Sequence, residues 1–228
     1  MDLLPTDTTL DVRERGASVA VLPIGSYEQH GPHLPLVTDT LVATVLAREL
    51  ANAHPVLLLP PVTISCSHEH AAWAGTVSIS ATTLVAVVRD VAASVRHQGI
   101  PTLVLVNGHG GNYVLGNVVQ EASVTGPPLV LFPQEQDWLA ARADAGLESS
   151  HLSDMHAGEL ETSILLHTHP HLVRAPVQDE TADDRRHLLS RGLQAYTASG
   201  VVGRPTLASA EKGRAVLASL VRSFAAYL

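Results

Sequence analysis

The stretch SVAVLPIGSYEQHGPHLPLVTDT, Ser18 to Thr40, decides how the rest of the chain is read. It opens with a short run of branched apolar residues, passes through a segment punctuated by glycine and proline, and arrives at the start of a helical pattern. Ser18–Ile24 is too short for a buried helix and is bounded by Gly25, which is how a strand covered on both faces reads. Three more runs share that character: PVLLLPPV (Pro55–Val62), TLVLVNG (Thr102–Gly108) and PLVLFP (Pro128–Pro133). Between them lie helical patterns. Leu41, Val45, Leu46 and Leu50 fall at helical spacing, a second pattern covers Ser80–Gly99 with Gly99 at its C-cap, and a third covers Tyr113–Ser123. Strands alternating with helices predict an α/β fold built on a mostly parallel sheet with helices on both faces. Later, Gly158–Pro170 reads as a helix stopped by Pro170, and the segment from Glu211 onward as an amphipathic closing helix. No linker or repeat interrupts the chain, so residues 1–228 are expected to form one domain.

Composition narrows the function classes. A net charge of -8 with scattered acids and bases argues against nucleic acid and against a polybasic membrane patch. No apolar window approaches a membrane span, and the N-terminus lacks a leader pattern, so a cytoplasmic protein is expected. The one cysteine, Cys66, cannot form an internal disulfide. Thirteen histidines against 14 lysines plus arginines raise the expectation of a metal site, because imidazole is the commonest metal ligand. A small-molecule or short-peptide partner is the default.

The chemistry-bearing residues follow the apolar elements. Glu28 and His30, two apart in an extended segment, point to one side, and Asp39 follows just before a helix. Carboxylate plus imidazole suits Zn, Mn or Fe; alternatively Asp39 only caps its helix. NGHGGN (Asn107–Asn112) offers His109 in a turn that its glycines make tight, and it lacks both nucleotide-binding glycine patterns. SCSHEHAAWAGTVS (Ser65–Ser78) supplies Ser67, His68, Glu69, His70 and Trp73, with Ser67, His70 and Trp73 taken as substrate contacts. In HAGELE (His156–Glu161), His156 and Glu159 share a face if the helix has begun there; alternatively the glutamates only complement the helix dipole. In a parallel sheet the ligand sits beyond the carboxyl ends of the strands, where these groups belong.

The segments LPIGSYEQHGPHLPLVTDT, SHEHAAWAGTVS, VNGHGGN, HAGELETS and SGVVGRPTLASAEKG, in this order, resemble the creatininase family of metal-dependent amidohydrolases. The resemblance implies a three-layer αβα sandwich, a hexamer, and two divalent ions (Zn, Mn or Fe) that hydrolyse an amide C–N bond. Glu28 and His30 then match ligands of different ions, Asp39 the bridging carboxylate, His109 the ligand in the glycine-rich turn, and His156 the histidine that moves protons. The family glutamate two residues after His109 is replaced by Gly111. Glu159 is the expected replacement, with Glu161 as runner-up. Members with the same turn include a formamide hydrolase and a peptidase that trims the mycofactocin precursor peptide. A catalytically inactive metal-binding subunit is the reading from another class.

Overall fold

The four apolar runs become β1 (Val19–Ile24), β2 (Leu57–Leu58), β3 (Thr102–Asn107) and β4 (Leu129–Phe132) in the computed structural model, which describes residues 4–126 and 128–228. Residues 1–3 lie outside that description. All strand pairs are parallel, in the order β2-β1-β3-β4. The helices among the described residues are α1 (Thr9–Arg15), α2 (Thr38–Ala53), α3 (Ala81–His97), α4 (Val114–Thr125), α5 (Glu135–Asp144), α6 (Glu159–Thr168), α7 (Leu188–Arg191) and α8 (Ala210–Phe224).

Strand alternation divides the interior in two. Val21, Val104 and Val106 face a core shared with α2, α6 and α8, whereas Ala20, Leu22, Ile24, Leu103 and Leu105 face a second core built with α3 and α4. The expected αβα sandwich is therefore present, and both faces of β1 and β3 are apolar because both are covered. Full burial of one such side chain contributes roughly 1.5–3 kcal/mol.

β2 is shorter than its apolar run because Pro60 and Pro61 have no N–H to give to a ladder. Pairing resumes beyond them, where Val62 N donates to Pro23 O at 2.9 Å and Gly25 N donates to Val62 O at 3.0 Å. α3 starts at Ser80, whose hydroxyl accepts from Thr83 N, and ends before Gly99 at φ 88°.

The strand order reverses between β1 and β3, since the chain leaves β1 for β2 on one side and returns to β3 on the other. That switch point is where a parallel sheet opens a crevice at its carboxyl edge. Two glycines let α2 enter it. A Cβ at Gly25 would lie 2.3 Å from Thr40 N, and one at Gly108 would lie 2.5 Å from Asp39 O. With no side chain at the ends of β1 and β3, the first turn of α2 sits directly on the sheet edge.

Candidate metal centre

Asp39, in the first turn of α2, is 1% exposed and has both carboxylate oxygens engaged. Oδ1 is 2.9 Å from His30 Nε2, and Oδ2 is 2.9 Å from His109 Nδ1 and accepts from the Ser26 hydroxyl at 2.7 Å. Asp39 thus stands between a histidine from the loop after β1 and one from the turn after β3. Glu28 completes the floor. Its Oε2 lies 3.2 Å from His109 Nε2 and its Oε1 3.1 Å from His70 Nε2, yet neither oxygen has a hydrogen-bond partner although the residue is wholly buried.

A buried carboxylate without a hydrogen bond is costly, and the surrounding groups show what would relieve it. Glu28, Asp39 and His109 can each direct one ligand atom to a common point, and so can His30, Asp39 and Glu161. Asp39 belongs to both sets. A third combination, Glu28, His30 and His156, overlaps them. The donors are oxygens and imidazole nitrogens, a set that fits Zn, Mn or Fe.

Backbone carbonyls aim the rings. His30 Nδ1 donates to Glu28 O at 3.1 Å, leaving Nε2 for the carboxylates, and His156 Nε2 donates to Gln29 O at 2.7 Å, leaving Nδ1 3.8 Å from Glu28 Oε1. Metal-binding histidines are commonly oriented in this way. The Gln29 side-chain amide instead donates to His70 Nδ1 at 2.9 Å and to Gly200 O at 3.1 Å.

Charge is distributed unevenly. Burial pushes Glu28 up to about 7, only partly offset by His109, and burial likewise pushes Glu161 up to about 7. Burial would lower His30 and His109, but Asp39 beside the first and Glu28 beside the second raise each to about 10. Burial would also raise Asp39, yet His30 and His109 hold it well below the usual carboxylate range. Burial and the positive His30 keep His156 far below the normal imidazole value, so it is a neutral ring with a bare Nδ1. His70, buried beside His109, is lowered to about 3.

One expected ligand is not in this cluster. Glu159 accepts from Ser149 N at 2.7 Å and Glu148 N at 3.1 Å and pairs with Lys212 Nζ at 2.6 Å. The expectation required a helix running through His156, but α6 starts at Glu159, after Ala157 in the left-handed region at φ 52°. That turn brings Glu161 round instead: its Oε2 accepts from Ala157 N at 2.6 Å and its Oε1 lies 4.0 Å from His30 Nε2. Helical spacing placed Glu161 on the wrong side because its reach depends on the turn before the helix.

The other expected residues are placed as follows. Ser67 and His70 are buried beside Glu28, and Trp73 is half-buried with its ring 6.2 Å from that of His70. His33, in the opening stretch, is buried away from the carboxylates with Nε2 3.2 Å from Thr162 Oγ1. A cavity of about 150 Å³ opens against His109 and Glu161, with Trp138, Arg142 and Leu160 in its wall. Ser26 and Gln29 were not singled out from sequence, and their only signal was their position inside the EQH loop.

The profile of the creatininase family, described as creatinine amidohydrolase, matches residues 6–228. The chain belongs to the creatininase family. A relative within reach of this creatininase-family chain is the mycofactocin precursor peptide peptidase of Mycobacterium ulcerans, 35% identical over 96% of this chain and 87% of that protein. Among solved structures, a putative creatinine amidohydrolase from Bacteroides fragilis has a TM-score of 0.83 at 26% identity, covering 97% of this chain and 92% of the other. A structure described as creatininase Mn has a TM-score of 0.81 at 22% identity, covering 100% and 97%, and shares the fold. As a creatininase-family protein the chain is a hydrolase of amide or peptide bonds. Among its described residues no helix is long and apolar enough to cross a membrane.

Proposed function

We propose that this chain, one domain throughout, is a dinuclear metal-dependent amidohydrolase in which Glu28, Asp39 and His109 hold one divalent ion and His30, Asp39 and Glu161 the other. The observation that carries the reading is the sharing of Asp39 between two ligand sets beside a buried Glu28 whose oxygens have no hydrogen bond. Zn, Mn and Fe suit the donors, and Mn is named for a creatininase of the same fold. Bound there, such ions would polarise an amide carbonyl and lower the pKa of water.

The chain's own groups supply the remainder. Ser26 fixes the Asp39 carboxylate, and the Gln29 carbonyl holds the single proton of neutral His156 on Nε2. His156 Nδ1 is then free to accept a proton and to return it to the departing nitrogen, a role worth roughly 10²–10⁴-fold. The cavity beside His109 and Glu161 admits the scissile group from the α5 side.

A short peptide is the favoured substrate, supported by the 35% identity to a peptide peptidase along nearly the whole chain. The cytoplasm and a hexameric assembly complete the reading. The test is to strip the protein with a chelator, restore Mn, Zn or Fe, and follow amine release from a panel of peptides and small amides. Activity that depends on restored metal is expected. Full activity of the stripped protein overturns the reading, and metal binding with no hydrolysis of any panel member favours an inactive metal-binding subunit. His156→Asn should keep its metal and lose turnover.

A further inference from the structure

The last turn of α5 holds a cation that the metal cluster does not use. Arg142 is 7% exposed, and it lines the same cavity that reaches His109 and Glu161. A guanidinium so withdrawn from water needs acceptors for its N–H groups. Only Nη2 has them: it donates to Asp154 Oδ2 at 2.8 Å, to Ser149 O at 2.9 Å and to Ser150 O at 3.4 Å. The N–H groups of Nε and Nη1 meet no acceptor among the described residues, and neither nitrogen is sealed off.

The two acids in the cavity wall are already committed. Asp154 Oδ1 accepts from Glu159 N at 2.6 Å, and its Oδ2 accepts from Leu160 N at 3.1 Å as well as from Arg142, so Asp154 is taken up by the first turn of α6. Glu161 belongs to the ligand set with His30 and Asp39. Trp138 lies one helical turn before Arg142 on α5 and, with Leu160, makes part of the wall apolar. A cavity with metal ligands in its wall, an apolar lining and unshared guanidinium donors suits a ligand that carries its own carboxylate, the group a guanidinium pairs with best.

We propose that Arg142 binds a carboxylate of the substrate away from the scissile amide, with Trp138 and Leu160 covering the apolar side chain beside it. The proposal rests on the peptide-hydrolase reading above and narrows its substrate class to peptides bearing a carboxylate near the cleaved bond. A free C-terminus and an aspartate or glutamate side chain offer the same chemistry.

The test titrates four peptides by calorimetry into Mn²⁺-loaded protein carrying His156→Asn, chosen so that no peptide is consumed. N-acetyl-Ala-Ala-Leu is used as free acid and as C-terminal amide, and the amides of N-acetyl-Ala-Glu-Leu and N-acetyl-Ala-Gln-Leu form the second pair. In at least one pair the carboxylate form is expected to bind at least about tenfold tighter, and the pair that shows it identifies the source of the carboxylate. Arg142→Gln should abolish the preference by weakening the carboxylate form, leaving its partner within about twofold. Arg142→Lys, which keeps the charge without the fork, should retain part of it. An arginine that served Asp154 alone would lose both forms equally on substitution, and that result overturns the proposal. The preference should also persist after chelation, a readout that needs no change at residue 142. Equal affinities within both pairs, binding of no peptide at millimolar concentration, or a preference that vanishes with the metal or survives Arg142→Gln each overturn it. Failure of the amidohydrolase reading shows separately, as no metal-dependent amine release by the unsubstituted protein, whatever the binding ratios.

Discussion

Glu159 and Glu161 both lie in the first turn of α6, yet their surroundings have little in common. Glu159 is wholly buried, with its oxygens filled by Ser149 N, Glu148 N and Lys212 Nζ, and these donors hold it below the ordinary carboxylate range although burial alone would raise it. Glu161 has one oxygen on Ala157 N and turns the other toward His30, and burial pushes it up to about 7. A carboxylate whose acceptors are full ties segments together. One with acceptor capacity left over inside a cluster of imidazoles has something still to bind. The same contrast separates Glu28, with both oxygens free of hydrogen bonds, from the other buried acids among the described residues.

Substitutions can break that contrast, beginning at the shared residue. Asp39→Asn should remove both ions and lower turnover by about 10³-fold, the several kcal/mol that metal-assisted polarisation supplies; elemental analysis and initial rates check this, and two retained ions would refute the bridge. Glu161→Gln should cost one ion and about 10²-fold in rate while leaving the melting temperature of the stripped protein unchanged. Glu159→Gln should do the reverse. Removing one partner of its pair with Lys212 should destabilise the fold by roughly 3 kcal/mol in denaturant titrations, with metal content and activity of the folded fraction intact. If Glu159→Gln loses metal and Glu161→Gln does not, the assignment of the two glutamates is inverted.

Glu180 offers the mildest test, as another filled carboxylate nearer the surface. It accepts from Ala198 N at 2.8 Å and Ser199 N at 3.0 Å; burial would raise it, but the Ser199 and Ala198 donors bring it down to about 2. Because its folded pKa lies below the unfolded value of about 4.3, its contribution is complete above that value and is lost as pH falls from about 4 through 2. Glu180→Gln should therefore lower stability by about 1–2 kcal/mol at neutral pH and flatten this part of the acid limb in unfolding measured against pH.

Much of this was legible in the chain. Runs such as Thr102–Gly108 announce strands covered on both faces, and Glu28, His30, Asp39 and His109 follow strand ends by position alone. Glu161 ranked behind Glu159 in the sequence for a definable reason: its reach toward His30 depends on the left-handed Ala157, and an alanine gives no sequence signal for that conformation. Helices α1 and α5 went unread; α1 buries no residue, and α5 buries Asp137 and Arg142 alongside Ala141, so neither carries a clean apolar stripe. Glu69 was visible as one acid in a polar wall, but its relation to Gly111 is a contact between segments 42 residues apart that only the folded chain reveals.

The pressing of α2 against Gly25 and Gly108 has a mechanical consequence. Thr40 N and Asp39 O stand 2.3 Å and 2.5 Å from where methyl groups at Gly25 and Gly108 would be, so Asp39 is located by contact of main chain with main chain and not by an adjustable side chain. The Asp39 carboxylate therefore has little compliance. A methyl group at either glycine would displace a carboxylate before it disturbed a loop, and tolerance for ions of different radius would be set by the sheet edge. A carboxylate held in this way resists displacement at the middle of the cluster more than the loop residues at its rim do.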